Sequence, residues 1–229
     1  MTMNQTAPVA RTAVKICGIK EEGTLTGMGG MAVGYVGFVF AKSRRQVSPE
    51  RAAELLQISR GVPMAGERPP LAVGVFVDPT LEELERTLAV APLDVVQLHG
   101  NETPEFARRV RDRFSVDVWR ALSVAEQSES ASASARLAPY EGVVSTVLLD
   151  TAGGGTGRTF DWDVIPEYRE AAKLYGLRLF VAGGLSPDNA DRLIAEYRPE
   201  GVDISSGVET DGTKDIGKIA AFVERVDNA

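Results

Sequence analysis

Short apolar runs alternate with longer polar or amphipathic segments from Val14 to the carboxyl terminus, and this alternation constrains the fold more than any other feature. The runs have the length of β-strands, whereas the segments between them have the length of helices. Repeated alternation of this kind is typical of parallel strands in an α/β domain. Strands are predicted at residues 14–18, 33–41, 72–77, 95–100, 116–122, 143–150, 179–182 and 202–204.

The intervening segments carry helix signals. Ser48 precedes Pro49, which is the order of an N-cap and a first helical residue, and Thr80 to Glu83 has the spacing of a capping box. The segment 20–31 contains four glycines, each of which disfavours a helix interior by about 0.5–1 kcal/mol. Helices are predicted at residues 20–31, 49–59, 80–90, 104–113, 126–138 and 163–175, between the last two strands, and at 215–226.

Eight strand–helix units in 229 residues favour a single-domain (β/α)8 barrel, the TIM barrel, over an open doubly wound sheet. No shift in composition marks a second domain, so residues 14–229 are predicted to form the barrel. Residues 1–13 are polar and are predicted to be a disordered tail. The carboxyl ends of the strands share one face of such a barrel, and catalytic groups are expected there.

Charge and cysteine content exclude several classes of protein. The net charge of −7 and the pI near 4.9 argue against a nucleic-acid-binding surface, which needs a basic face. One cysteine cannot form an internal disulfide or a cysteine-rich zinc site. The longest apolar stretch is too short to span a membrane, and the polar first residues are not expected to be a signal peptide. We therefore expect a cytoplasmic protein without membrane partners, and a monomer by default.

Two small-residue turns follow the last two predicted strands, Gly183-Gly184 and Ser205-Ser206-Gly207. Glycine at a strand end lets another group approach the backbone closely. A helix starting just after each turn would aim its free N–H groups at the same point. Either turn alone is typical of an ordinary connection, but the pair predicts a cup for a phosphate.

Three side chains at predicted strand ends, Cys17, His99 and Asp150, could carry chemistry. Cys17 is either a small buried hydrophobe or a general base whose pKa has fallen toward neutrality. Lys15 shares its strand face but is expected to lie too deep in the barrel to help. His99 is the only histidine, and we expect a supporting or structural role for it. Asp150 follows an apolar run, where a carboxylate is costly unless it is paired or wet; functional and structural roles are equally open.

Three further features leave alternatives open. Lys42-Ser43-Arg44-Arg45 is either a solvated loop or a grip for a carboxylate, which arginine binds through two parallel hydrogen bonds. Asp203 could accept hydrogen bonds from sugar hydroxyls or belong to a polar network inside the barrel. The glycine-rich residues 151–159 could be a mobile lid or a surface loop.

Eight motifs resemble one family in their order and spacing. They are KICGI at 15–19, GFVFAKSRR at 37–45, VGVFV at 73–77, VQLHG at 96–100, LLDT at 148–151, GGTGRTFDW at 154–162, AGGLSPDN at 182–189 and VDISSGVE at 202–209. Together they resemble the phosphoribosylanthranilate isomerases of tryptophan biosynthesis over nearly the whole chain from Val14. The resemblance implies a barrel without metal or cofactor that acts on a small phosphorylated substrate. The implied reaction is the Amadori rearrangement of N-(5-phosphoribosyl)anthranilate to a 1-deoxyribulose 5-phosphate product.

The resemblance also implies a role for each matching residue. Cys17 corresponds to the general base and Asp150 to the general acid. Arg45 faces the anthranilate carboxylate, and Asp203 contacts the sugar. The residues implied to surround the phosphate are Gly183, Gly184, Ser205, Ser206 and Gly207.

Two alternatives compete with this interpretation. The related histidine-pathway isomerase performs the same rearrangement on a substrate with two phosphates, and it uses a carboxylate where Cys17 stands. The fourth strand of this chain ends in His99-Gly100-Asn101-Glu102, a poor cup for a second phosphate. The other alternative is a non-catalytic barrel that senses a phosphate ligand. The presence of both proposed proton-transfer residues argues against it.

Overall fold

The strands close into one parallel barrel in the order of the chain. The computed structural model describes residues 11–124, 131–151 and 159–229. Each barrel strand pairs in parallel with the next, and the first pairs with the eighth. The predicted (β/α)8 fold is confirmed. The barrel strands are β1 (Ala13–Cys17), β2 (Tyr35–Val39), β3 (Leu71–Phe76), β4 (Val95–Leu98), β5 (Asp117–Val124), β6 (Thr146–Thr151), β7 (Arg178–Val181) and β8 (Gly201–Ile204).

A helix follows each barrel strand, and a small hairpin of β9 (Glu209–Thr210) and β10 (Thr213–Lys214) precedes the last helix. Within the three described ranges, no helix is both long and apolar enough to cross a membrane. The helices are α1 (Glu22–Gly27), α2 (Pro49–Arg60), α3 (Leu81–Val90), α4 (Pro104–Phe114), α5 (Ala133–Leu137), α6 (Ile165–Leu174), α7 (Ala190–Tyr197) and α8 (Ile216–Asp227).

Local signals start α2 and α3 where the sequence predicts. The Ser48 side chain accepts a hydrogen bond from the N–H of Arg51 at the start of α2. Thr80 and Glu83 form the reciprocal bonds of a capping box at the start of α3. These bonds satisfy backbone N–H groups that have no partner within the helix.

Two helices are shorter than predicted. Helix α1 ends at Gly27, where a Cβ would lie 2.8 Å from the Ile216 side chain, so the glycine permits close packing on α8. Gly30 then adopts a φ of 80°, which turns the chain toward β2. Helix α5 has five residues, and the first part of the helix predicted at 126–138 lies outside the described residues.

The amino-terminal boundary differs slightly from the prediction. Strand β1 begins at Ala13, whose N–H bonds to the carbonyl of Glu200, and the Thr12 hydroxyl donates to the carbonyl of Pro199. The first strand therefore begins one residue before the strand predicted at residues 14–18. Residues 1–10 of the predicted tail lie outside the described residues.

An aromatic cluster fills the interior of the barrel. The rings of Tyr35 and Trp119 lie 4.9 Å apart, and those of Trp119 and Phe180 lie 4.8 Å apart. A Cβ at Gly201 would lie 2.2 Å from the Phe180 ring, so the glycine gives this ring its place. The interior is a packed core rather than a pore, and it supports the residues at the carboxyl ends of the strands.

Candidate active site

A cavity of about 290 Å³ opens at the carboxyl ends of the barrel strands. The predicted site residues that line it are Cys17, Arg45, Asp150, Gly183, Gly184, Asp203, Ser205 and Ser206. Gly207 is not among the lining residues. A Cβ there would lie 1.9 Å from the carbonyl oxygen of Leu185, so Gly207 lets the two turns pack against each other.

Backbone N–H groups gather at the turns after β7 and β8. We call Gly183, Gly184, Ser205 and Ser206 the β7–β8 cup. Gly183 and Gly184 have φ values of 78° and 66°, a region that glycine enters without steric cost. Within the described part of the chain, no acceptor meets the backbone N–H of these four residues. The cup therefore presents hydrogen-bond donors to the cavity, as an anion requires.

The expectation that a helix starts directly after each turn is wrong. Helix α7 begins only at Ala190, because Asn189 ties back to the first turn through its amide and the carbonyl of Gly184. After the second turn, residues Ser206–Val208 form a single 3₁₀ turn. The donors of the cup come from the turns themselves, and a helix dipole adds little.

Cys17 sits beside an internal ion pair. Its thiol lies against Gly37, where a Cβ would be 2.8 Å from the sulfur. Lys15 is wholly buried, and its Nζ donates to Asp203 Oδ2 at 2.8 Å. The other oxygen of that carboxylate, Oδ1, is buried and has no hydrogen-bond partner among the described residues. Asp203 thus belongs to the internal network through one oxygen and keeps a second acceptor beside the cavity.

Burial raises the pKa of the Cys17 thiol, while the positive charge of Lys15 acts in the opposite direction. Lys15 lies deep in the barrel, as expected, and its charge lowers the pKa of the thiol by less than burial raises it. Burial also opposes the charge on Lys15, yet Asp203 and Cys17 outweigh it and raise the pKa of the lysine. The net effect of these opposing contributions is a raised pKa, which favours the thiol over the thiolate.

Asp150 contacts the single histidine. Its Oδ2 lies 3.2 Å from His99 Nε2, and its Oδ1 accepts the N–H of Thr151 at 2.7 Å. The amide nitrogen of Gln97 lies 3.0 Å from His99 Nδ1. When Gln97 donates, Nδ1 is the acceptor and Nε2 carries the proton toward Asp150. The contact fits the supporting role expected of His99, and Gln97 is a further residue that the sequence analysis missed.

Arg45 is held by a carboxylate that the sequence analysis also missed. Its Nε and Nη2 donate to the Glu209 carboxylate at 2.6 and 3.0 Å, which makes a bidentate salt bridge. Arg44 and Lys214 contact the same carboxylate at 2.7 and 2.9 Å. Burial works against the charge of Glu209, but hydrogen bonds from Arg45 and Lys214 lower its pKa to about 2.

A second group of backbone N–H donors lies across the barrel, at the turns after β3 and β4. The N–H groups of Asp78 and Gly100 bond to the carboxylate of Glu102 at 2.9 Å each, and Arg120 Nη1 reaches the same carboxylate at 2.9 Å. We call Asp78, Gly100, Glu102 and Arg120 the β3–β4 cup. Its donors are already occupied by Glu102, whose side chain is 2% exposed.

The closed parallel barrel, with a thiol, a carboxylate and a cup of N–H donors around one cavity at the strand ends, defines a (β/α)8-barrel enzyme. The family model of N-(5'-phosphoribosyl)anthranilate (PRA) isomerase matches residues 14–225. The chain belongs to this family, and the predicted family is confirmed.

Relatives agree in sequence and in structure. A protein of Brevibacillus brevis named N-(5'-phosphoribosyl)anthranilate isomerase is 47% identical over 219 residues, which cover 94% of this chain and 93% of that protein. The crystal structure of the phosphoribosyl anthranilate isomerase of Thermotoga maritima is 33% identical, with a TM-score of 0.76, and the match covers 95% of this chain and 100% of that chain. Another solved isomerase, in complex with reduced 1-(o-carboxyphenylamino)-1-deoxyribulose 5-phosphate, is 32% identical, with a TM-score of 0.73 and the same coverage of both chains.

Proposed function

We propose that this chain catalyses the Amadori rearrangement of N-(5'-phosphoribosyl)anthranilate to 1-(2-carboxyphenylamino)-1-deoxy-D-ribulose 5-phosphate in tryptophan biosynthesis. Cys17 is the general base and Asp150 is the general acid. The observation that carries the proposal is that β1 and β6 bring these two groups to one cavity, which the β7–β8 cup and Arg45 also line. The solved relative that binds a reduced form of the product supports the same choice of ligand.

The cavity offers a partner to each part of this substrate. The phosphate accepts hydrogen bonds from the N–H groups of the β7–β8 cup, and Gly207 serves this cup indirectly by packing its two turns together. Arg45 binds the anthranilate carboxylate, and Asp203 Oδ1 accepts a sugar hydroxyl. Holding a substrate at both ends fixes the reacting carbon between the acid and the base, which lowers the barrier through orientation.

The rearrangement needs one proton donated to the substrate and one proton removed from it. Asp150 protonates the ribose ring oxygen, the ring opens, and the nitrogen becomes a positively charged Schiff base. Cys17, as the thiolate, then removes the proton from the adjacent carbon. The resulting enolamine becomes the ketone when its first carbon takes up a proton and its hydroxyl group loses one. The raised pKa of the Cys17 thiol works against the thiolate, and the positive charge of the Schiff base favours it. Each transfer contributes about 10²–10⁴-fold to the rate.

The histidine-pathway reaction is the rival that the site disfavours. Its substrate carries a phosphate at each end, and the donors of the β3–β4 cup are already bonded to Glu102. The test presents both substrates to the purified chain. We expect fluorescence-monitored consumption of phosphoribosylanthranilate and no turnover of the histidine precursor. Turnover of the histidine precursor alone would overturn the proposal. Binding of either substrate without turnover would favour the non-catalytic barrel that senses a phosphate ligand.

We also propose that the chain works as a monomer in the cytoplasm, without nucleic-acid or membrane partners. The support is the net charge of −7 and the lack of a heptad pattern in the sequence. Light scattering at micromolar concentration should then report a mass near 24.5 kDa. A mass twice that value would contradict the monomer and leave the proposed chemistry unaffected.

A further inference from the structure

The carboxylate of Glu209 lies between the two parts of the site that would hold the two ends of a substrate. It stands on β9, just after the β7–β8 cup, and its side chain is 5% exposed. Oε1 accepts from Arg45 Nε at 2.6 Å and from Lys214 Nζ at 2.9 Å. Oε2 accepts from Arg45 Nη2 at 3.0 Å and from Arg44 Nη2 at 2.7 Å. One carboxylate thus binds three cations.

Lys214 continues this network into the cup. Its Nζ donates to the carbonyl oxygen of Ser205 at 2.8 Å and lies 3.2 Å from the Ser205 hydroxyl. That hydroxyl donates to the carbonyl of Cys17 at 3.0 Å. An unbroken series of polar contacts therefore runs from Arg45 through Glu209 and Lys214 to the cup and the strand end that bears the thiol.

The stem of Arg45 is also confined. A Cβ at Gly18 would lie 2.5 Å from Arg45 Cδ, so the glycine after Cys17 makes room for the arginine. The two donors that Glu209 uses are Nε and Nη2, and Nη1 takes no part in the pair. Glu209 can therefore orient the guanidinium while one of its nitrogens is left for a ligand.

Charge explains why Glu209 is needed at this place. Lys214 is 4% exposed and Arg45 is 11% exposed, and burial lowers the pKa of Lys214 while Glu209 raises it. Without the carboxylate, two poorly hydrated cations would face each other and a third would lie beside them. Like charges in such a setting repel, and the arginine stem would turn toward solvent.

We propose that Glu209 is a positioning residue that holds Arg45 and the β7–β8 cup as one unit, so that the carboxylate and phosphate ends of the substrate bind at a set separation. The inference rests on the proposed function, because it takes Arg45 and the cup as substrate-binding. Glu209 touches neither end of the substrate. Its loss should nevertheless weaken the binding of a ligand at either end, which simple loss of stability would not do.

The test compares the whole chain with its Glu209→Gln variant. We expect KM for phosphoribosylanthranilate to rise by at least about 10-fold while kcat stays within about 3-fold, the signature of lost binding rather than lost chemistry. The inhibition constants of inorganic phosphate and of benzoate, which probe the two ends separately, should both rise. The matched control is Glu85→Gln, which removes the exposed pair with Arg113 and should change none of these constants.

A second variant covers the case in which Glu209→Gln fails to fold. Lys214→Gln keeps the bond between Glu209 and Arg45 but releases Ser205, so it should weaken inhibition by phosphate and leave inhibition by benzoate unchanged. Unchanged constants in Glu209→Gln, or equal weakening of both inhibitors in Lys214→Gln, would overturn the inference. Calorimetric titration measures the dissociation constant of inorganic phosphate for each variant and does not depend on turnover. If the chain does not turn over phosphoribosylanthranilate but the two variants bind phosphate more weakly as expected, only the proposed function is contradicted.

Discussion

The β7–β8 cup and the β3–β4 cup stand four strands apart around the same barrel mouth, and they differ in what meets their N–H groups. In the β3–β4 cup the donors bond to Glu102, and Arg120 balances its charge. In the β7–β8 cup no acceptor among the described residues meets the donors. Both cups need glycine: a Cβ at Gly100 would lie 2.4 Å from Asp78, and one at Gly183 would lie 2.9 Å from Asp150.

The comparison teaches that a glycine at a strand end is not itself the mark of an anion site. Backbone donors bind an external anion only where the chain has not supplied its own carboxylate. Glu102 is the chain's own anion, whereas the β7–β8 cup presents small residues and no acidic side chain. The substrate accepted at this mouth should therefore carry a single phosphate.

Removing the Glu102 carboxylate from the β3–β4 cup should have the largest effect, which is a loss of stability. Glu102→Ala leaves Arg120 buried without its carboxylate, and breaking such a pair costs on the order of 3–5 kcal/mol of unfolding free energy. Acetate or inorganic phosphate, which can enter the vacated place, should restore part of the melting temperature. Thermal unfolding with and without each anion measures this. Glu85→Ala, which breaks an exposed pair, should cost less than about 1 kcal/mol and show no rescue.

Adding a carboxylate to the β7–β8 cup should have the next largest effect, which is a rise in KM. Ser206→Asp places a carboxylate among donors that are meant for phosphate, and like charges at close range cost several kcal/mol. We expect KM for phosphoribosylanthranilate to rise by at least about 100-fold, because this cost opposes the binding of the phosphate. The neutral control Ser206→Asn should stay within about 10-fold of the wild-type KM. Equal values for the two variants would mean that the phosphate binds elsewhere.

The reactivity of the single cysteine gives a smaller but cleaner readout. Burial raises the pKa of Cys17 above its ordinary value of 9.0, so the protein favours the thiol over the thiolate. The rate of alkylation by iodoacetamide should then still be rising beyond about pH 9, since only the thiolate reacts. A plateau below neutral pH would contradict the raised pKa. Inorganic phosphate should slow alkylation in the wild type and not in Ser206→Asp, if the cup beside Cys17 is the one that binds it.

The barrel is predictable from the sequence because its signals are local. Each strand is a short run of mostly apolar residues, and caps such as Ser48 and Thr80 bond within three residues of their own position. The same locality places Cys17 and Asp150 at strand ends. The start of α7 escapes prediction because the amide of Asn189 bonds back to Gly184 and delays the helix.

The partners within the site are not predictable in this way, because they come from distant parts of the chain. Arg45 and Glu209 are 164 residues apart, and Lys15 and Asp203 are 188 residues apart. Only closure of the barrel between β1 and β8 brings both pairs together. Sequence reasoning therefore places the candidate side chains at the strand ends but misses the groups that contact them.

The central claim is that one thiol and one carboxyl group, on opposite sides of a single cavity, move the two protons of the rearrangement. The most direct test measures kcat for Cys17→Ser and Asp150→Asn together with the dissociation constant of reduced 1-(o-carboxyphenylamino)-1-deoxyribulose 5-phosphate. We expect each substitution to lower kcat by at least about 100-fold and to change the dissociation constant by less than about 3-fold. A variant that keeps kcat within about 3-fold of the wild type would remove that residue from the mechanism.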